Sequence, residues 1–314
     1  MAKEKPSQAI LGIDEAQKAV DEHFKDQVLL LRDLADYGSN LVLRSFNSSD
    51  KQMGAMITCG VLLKQIVAML DAIHILASVG AVRAAFLPAR AAFEASIYLD
   101  WMLFSDTEKK PRYYMVSNYR DERLWANRTI KGTSEEKAFS GISASLGFDI
   151  HARRPTLAAD AAKHLKEVNK ILAQNPFIEI DKEFEKRKQQ SSRKHEPTWH
   201  SMCGAQSIRQ IARTVDRLPE YELFYAKGSR ITHSASYKDH LRFAKGKMFY
   251  KHVRQLESVN ELLNFVVVLT LTSYRHTLMQ YRPREIQAFS RKYLGDWRGP
   301  FLAVKSVAYQ WGGN

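Results

Sequence analysis

The sequence predicts an all-α fold: a multi-helix bundle of long amphipathic helices, a single large domain with a charged insertion. Three observations predict it. Only 15 Gly and 9 Pro occur in 314 residues, too few breakers for a turn-rich sandwich or barrel. Apolar residues recur near a 3.6-residue period along most of the chain. No segment keeps the strict alternation of a half-buried strand, and the β-branched run Val266-Val267-Val268 sits inside a longer helical period. At 45% apolar and 26% charged residues, the chain has the composition of a folded protein.

Residues 1–12 read as a flexible tail. Their charged start has no apolar run behind it, so no signal peptide is expected. From Asp14 to about Phe46, Val20, Phe24, Val28, Leu31, Ala35 and Leu41 mark one helix. Ser48-Ser49-Asp50 offers N-cap oxygens for a second, about 51–78, apolar round most of its circumference and so central. Gly80 stops it. A third runs from about Val82 to Phe104, with Pro88 either kinking it or marking its start. A polar, aromatic fourth covers 107–132.

Short helices at 134–145 and 157–174 follow. The stretch Asp181 to Glu196 is dense in charge and reads as a solvated helix or a basic loop, within an insertion at about 176–203. Helices at 205–216 and 219–234 come next, then a loop to Lys247. A long helix is expected over 248–281. The bundle domain thus spans 13–282, and Pro283 opens a last helix and tail, 283–314. The longest apolar stretch, Leu262 to Leu271, falls short of the ~20 residues that span a bilayer, so no membrane contact is expected.

Net charge is +13. An excess of that size attracts polyanions, RNA or DNA first, or another acidic partner, without saying anything about sequence preference. Two cysteines, Cys59 and Cys203, make no disulfide scaffold and suggest a reducing, cytoplasmic setting. There is no P-loop, dinucleotide fingerprint, HExxH or GxSxG. His195, His200 and Cys203 lack a second ligand pair at zinc spacing, so neither a metal nor a cofactor is expected.

Three constellations can carry chemistry. In Arg90-Ala-Ala-Phe-Glu94 the charges lie four apart on one helix face amid apolar neighbours, where they can pair. In Tyr225-Ala-Lys-Gly-Ser-Arg-Ile-Thr-His233 the Tyr225, Ser229 and His233 positions share a stripe, with Arg230 beside His233. A histidine is the natural general acid or base, and an arginine beside it suits a phosphate. The third is Arg193 to His200, whose spacing is similar to that of metal-independent ribonucleases of the HEPN superfamily, although Pro197 stands between the two residues.

Two blocks resemble a bacterial family, the domain of unknown function 5677. One is Leu87-Pro-Ala-Arg-Ala-Ala-Phe-Glu-Ala-Ser-Ile-Tyr-Leu-Asp. The other runs from Trp199 through Ser207-Ile-Arg-Gln-Ile-Ala, including Arg209, to Tyr221, Tyr225, Ser229 and His233-Ser-Ala. The resemblance covers roughly residues 50–280. It implies an all-α fold in which Arg90, Glu94, Ser229 and His233 gather, and it implies no activity. A distant analogy to HEPN-type bundles departs at Ser229, where those ribonucleases carry arginine four residues before the histidine.

The expected function is a non-catalytic or regulatory protein that contacts nucleic acid or an acidic partner through its basic surface, with a homodimer a further expectation. The alternative is a metal-independent ribonuclease effector in defence or stress. There His233 would move protons, Arg230 or Arg90 would steady the phosphorane, and Glu94 would orient one of them.

Overall fold

A computed structural model describes residues 10–46, 53–145, 147, 156–192, 195–232, 237–244 and 246–307. The fold is all-α. The chain divides into two compact units, Met1–Ser105 with Ile208–Asn314, and Asp106–Ser207.

The first unit opens with α1 (Ile13–His23) and α2 (Lys25–Phe46). One helix was expected over 14–46. Phe24, at φ −131°, breaks it in two, and its buried ring explains why an apolar position continues the period across the break. The flexible tail expected over 1–12 is described only from Ile10. There the Ile10 and Leu11 carbonyls accept from the Val253 and Arg254 amides at 2.9 and 3.0 Å.

Helix α3 (Met53–Ser78) packs against α2 and against α4 (Val82–Phe104). It buries Leu63, Ile66, Leu70 and Ile73 completely, each contributing about 1.5–3 kcal/mol. By length and composition alone its Gly54–Ser78 stretch is apolar enough to cross a membrane. The shorter stretch at 262–271 gave no sign of this. Pro88 lies inside α4 rather than at its start.

The second unit contains α5 (Lys109–Thr129), α6 (Ser134–Ser145), α7 (Leu157–Leu172), α8 (Phe177–Gln190) and α9 (Trp199–Met202). Helix α5 is its centre, touching the other four. The charged stretch expected as insertion lies within this unit. Its first part is helix α8, because Ile180 and Phe184 come four apart and are both buried. Beneath them Arg120 of α5 ties the unit together. It donates to Asp181, Glu196 and, at 3.1 Å, Glu185, with its guanidinium 5.4 Å from the Phe184 ring centre.

The chain returns to the first unit with α10 (Ile208–Thr214), α11 (Leu218–Glu220), a π-helical turn at Tyr221–Tyr225 and α12 (Ala226–Thr232). No strand was expected, and a helix was expected from 248, but the chain forms a hairpin here. Strands β1 (Leu241–Ala244) and β2 (Lys247–Tyr250) pair antiparallel, with Gly246 at φ 71° in the turn. Phe243, Phe249 and Tyr250 favour an extended chain, but four-residue strands are too short to show alternation. The long helix, α13, is Val259–Tyr281. Helices α14 (Ile286–Lys292) and α15 (Arg298–Leu302) flank a second π-helical turn, which buries Trp297.

Helices α2 and α13 meet at Gly38. A Cβ there would lie 1.9 Å from the Tyr274 hydroxyl, which is buried and donates to the Leu34 carbonyl at 2.8 Å.

Candidate functional site

Helix α4 carries two charge clusters on successive turns, both tied to residues from after position 207. At the first, Arg90 Nε donates to Glu94 Oε1 at 3.1 Å and Arg90 Nη2 to the Tyr225 hydroxyl at 3.0 Å. Tyr225 in turn donates to Glu94 Oε1 at 2.8 Å. The guanidinium also lies 4.7 Å from the centre of the Tyr225 ring. The three groups form a closed triangle. Burial, and then the hydrogen bond to Glu94, push the Tyr225 phenol up to about 12. Burial works against the Arg90 cation, yet the hydrogen bonds and charge attraction from Tyr225 and Glu94 together outweigh it and the arginine is held charged. Gly228 lets α12 approach this closely, since a Cβ there would sit 3.0 Å from Arg90 Cβ and 3.1 Å from the Phe86 carbonyl.

Of the residues singled out in the sequence, Arg90, Glu94 and Tyr225 therefore meet. Ser229 is half-buried next to Gly228 on α12, and Arg230 is exposed. His233 and Arg193 lie outside the described residues. Arg209 pairs with Glu222 at 2.6 Å. His200 belongs to the second unit. It is buried, and its Nδ1 meets the Ala205 carbonyl at 2.6 Å.

The second cluster escaped the sequence reading. Asp100, with 3% of its side chain exposed, accepts from Arg217 Nη1 at 2.8 Å through one oxygen. Its other oxygen meets His276 Nδ1 at 2.8 Å. Arg217, 5% exposed, also donates to Ser96 Oγ at 2.9 Å and to Glu220, and lies 5.2 Å from the Phe93 ring centre. A signal was present only at Asp100, a single charge in the apolar run Ala-Ser-Ile-Tyr-Leu-Asp-Trp-Met-Leu-Phe; His276 stands in the polar stretch Thr-Ser-Tyr-Arg-His-Thr-Leu, which gave none. A charge kept in an apolar run needs a partner.

The β-hairpin is the third feature. Directly paired residues share a face, so the pairs Leu241↔Tyr250 and Phe243↔Met248 line one side, and Arg242↔Phe249 and Ala244↔Lys247 the other. Leu241 is buried and anchors the base. Beyond it Phe243 is 73% exposed, Tyr250 65% and Phe249 50%. Between residues 237 and 254 the sequence places Lys238, Arg242, Lys245, Lys247, Lys251 and Arg254 against Asp239 alone. Among the described residues no group of three His, Cys, Asp or Glu side chains could hold a metal ion.

Fold and clusters define an all-α protein whose central helix is pinned by buried charge to segments from its late sequence. The chain belongs to the family of unknown function DUF5677, whose model matches residues 56–248. That span includes both charge clusters except His276, and the hairpin except its last two residues. No curated protein matches the chain. No solved structure matches it either.

Proposed function

We propose that the chain binds single-stranded nucleic acid through the Leu241–Tyr250 hairpin as a non-catalytic, regulatory contact. The observation that carries this reading is the combination on one short ribbon of exposed aromatic rings and an excess of basic side chains. Unpaired bases stack on such rings, and Lys and Arg follow the phosphates. The net charge of +13 adds long-range attraction. The Arg90–Glu94–Tyr225 triangle is read as a clamp between α4 and α12, because its hydrogen bonds close on one another. Cys59 and Cys203, neither in a disulfide, suit a reducing compartment such as the cytoplasm.

The test is fluorescence anisotropy with a labelled single-stranded RNA of about 12 nucleotides, alongside DNA of the same sequence and its duplex. Phe243→Ala and Tyr250→Ala should each weaken binding by about 1–3 kcal/mol. Lys247→Gln should flatten the dependence of log affinity on log salt by about 0.7. Unchanged affinity in all three variants would remove the reading. A change in oligomeric state would assign the aromatic face to a second copy of the chain. RNA cleavage lost in His233→Ala would replace the reading with phosphodiester cleavage.

A further inference from the structure

Helices α13 and α14 border an open cleft of about 380 Å³ in the first unit, to which the hairpin contributes no residue. That volume suits a small molecule. Its walls are apolar, with Leu271 from α13, Ile286 and Phe289 from α14, and Leu294 beyond. Thr272, Ser290 and Tyr293 interrupt them, and two adjacent residues of α13 add basic side chains. One is Arg275, exposed and without an ion pair among the described residues. The other is His276, 39% exposed at the cleft and backed by buried Asp100.

Asp100 fixes the state of that imidazole. An ionised carboxylate only accepts, so Nδ1 carries the hydrogen and Nε2 is left to meet a ligand. Asp100 is itself paired with Arg217 at 2.8 Å. A proton arriving at Nε2 makes an imidazolium already neutralised from behind. An anion in the cleft would then face that Nε2–H and the Arg275 guanidinium across an apolar floor, where charge-assisted hydrogen bonds are strong.

We infer that this cleft binds a small carboxylic acid with an apolar body, of the size of benzoic or hexanoic acid. The carboxylate sits between His276 Nε2 and Arg275, and the ring or chain lies against Phe289 and Ile286. The proton that charges His276 comes from the acid itself, which becomes the bound carboxylate, or from a buffer acid, which leaves as its conjugate base. Phosphate would satisfy the cations and waste the apolar walls. A neutral alcohol would use the walls and waste the cations.

The test is calorimetric titration of the full chain with benzoate, with benzyl alcohol and inorganic phosphate as comparisons. In parallel, diethyl pyrocarbonate labelling of His276 is read by peptide mass with and without benzoate. Benzoate should bind at least roughly tenfold more tightly than either comparison and protect His276 from labelling. Arg275→Gln and His276→Gln should each weaken it by roughly tenfold, with the far-ultraviolet spectrum unchanged. Equal binding of benzyl alcohol would reduce the site to an apolar hole, and equal binding of phosphate to surface charge. No protection of His276 at about 10 mM benzoate would end the proposal. Because the hairpin contributes no residue to the cleft, failure of RNA binding and failure of this test are separate results.

Discussion

Replacing Arg217 by methionine tests whether charge holds the first unit together. Methionine keeps an apolar stem against Phe93 but removes the donors to Ser96, Asp100 and Glu220. Asp100 would then stay buried with His276 as its remaining side-chain hydrogen-bond partner among the described residues. Breaking a buried pair from one side costs about 3–5 kcal/mol. The surviving His276 contact puts the expected loss near the lower end, about 3 kcal/mol. At roughly 2–4 °C per kcal/mol for a unit of this size, the melting temperature should fall by about 6–12 °C. Circular dichroism melts of wild type, Arg217→Met, Asp100→Leu and the double variant would measure it. The double variant should recover most of the loss, since neither charge is then left alone in the interior. A single-variant loss below about 1 kcal/mol, or a double variant no better than either single one, would refute the reasoning.

Gly38→Ala should destabilise by about 1–2 kcal/mol in urea titration. Overpacking against the Tyr274 hydroxyl, fixed on the Leu34 carbonyl, exceeds the helical gain from alanine. Tyr225→Phe should cost about 1 kcal/mol by the same measurement, because Arg90 and Glu94 keep their direct pair at 3.1 Å and are partly wet. In the second unit, burial works against the Asp181 carboxylate, but hydrogen bonds from Arg123 and Arg120 outweigh it and hold its pKa below the usual 3.8. The Glu185 carboxylate is held down too, chiefly by its hydrogen bond from Arg120. Stability from such carboxylates is complete above their unfolded values and disappears as pH falls through the folded ones. Hydrogen exchange should therefore show α8 loosening below about pH 4, and a profile flat to pH 2 would contradict it.

The helices with clear periods were legible: α3, α4, α6 and α7 follow from apolar spacing and from stops such as Gly80 and Gly132. What escaped was not carried by an apolar period. Phe24 continues a helical stripe while its backbone turns, because burying its ring matters more than keeping the helix unbroken. The hairpin at 241–250 depends on register between two four-residue strands, which periodicity cannot see. For the candidate site, the i, i+4 spacing of Arg90 and Glu94 was readable locally. Their bond to Tyr225 rests on 131 or more residues of separation, and the family resemblance pointed to Ser229 and His233 as the residues that gather with them. Asp100, Arg217 and His276 were overlooked because each looks ordinary alone. Only their convergence makes them a network.

The division of the chain also sets an order of events during synthesis. The second unit is continuous, so all of it has been synthesised once Ser207 is added. The first is not. When α4 emerges it can pair at once with α3, but the partners of its other face, α10, α12 and α13, are still untranslated. Until they arrive, Asp100 and Glu94 lack Arg217 and Tyr225, and Phe93 stands uncovered beside them. A nascent chain stalled when residue 207 has just cleared the ribosome should thus carry a finished second unit and an open first one, and that species is the one a chaperone would meet.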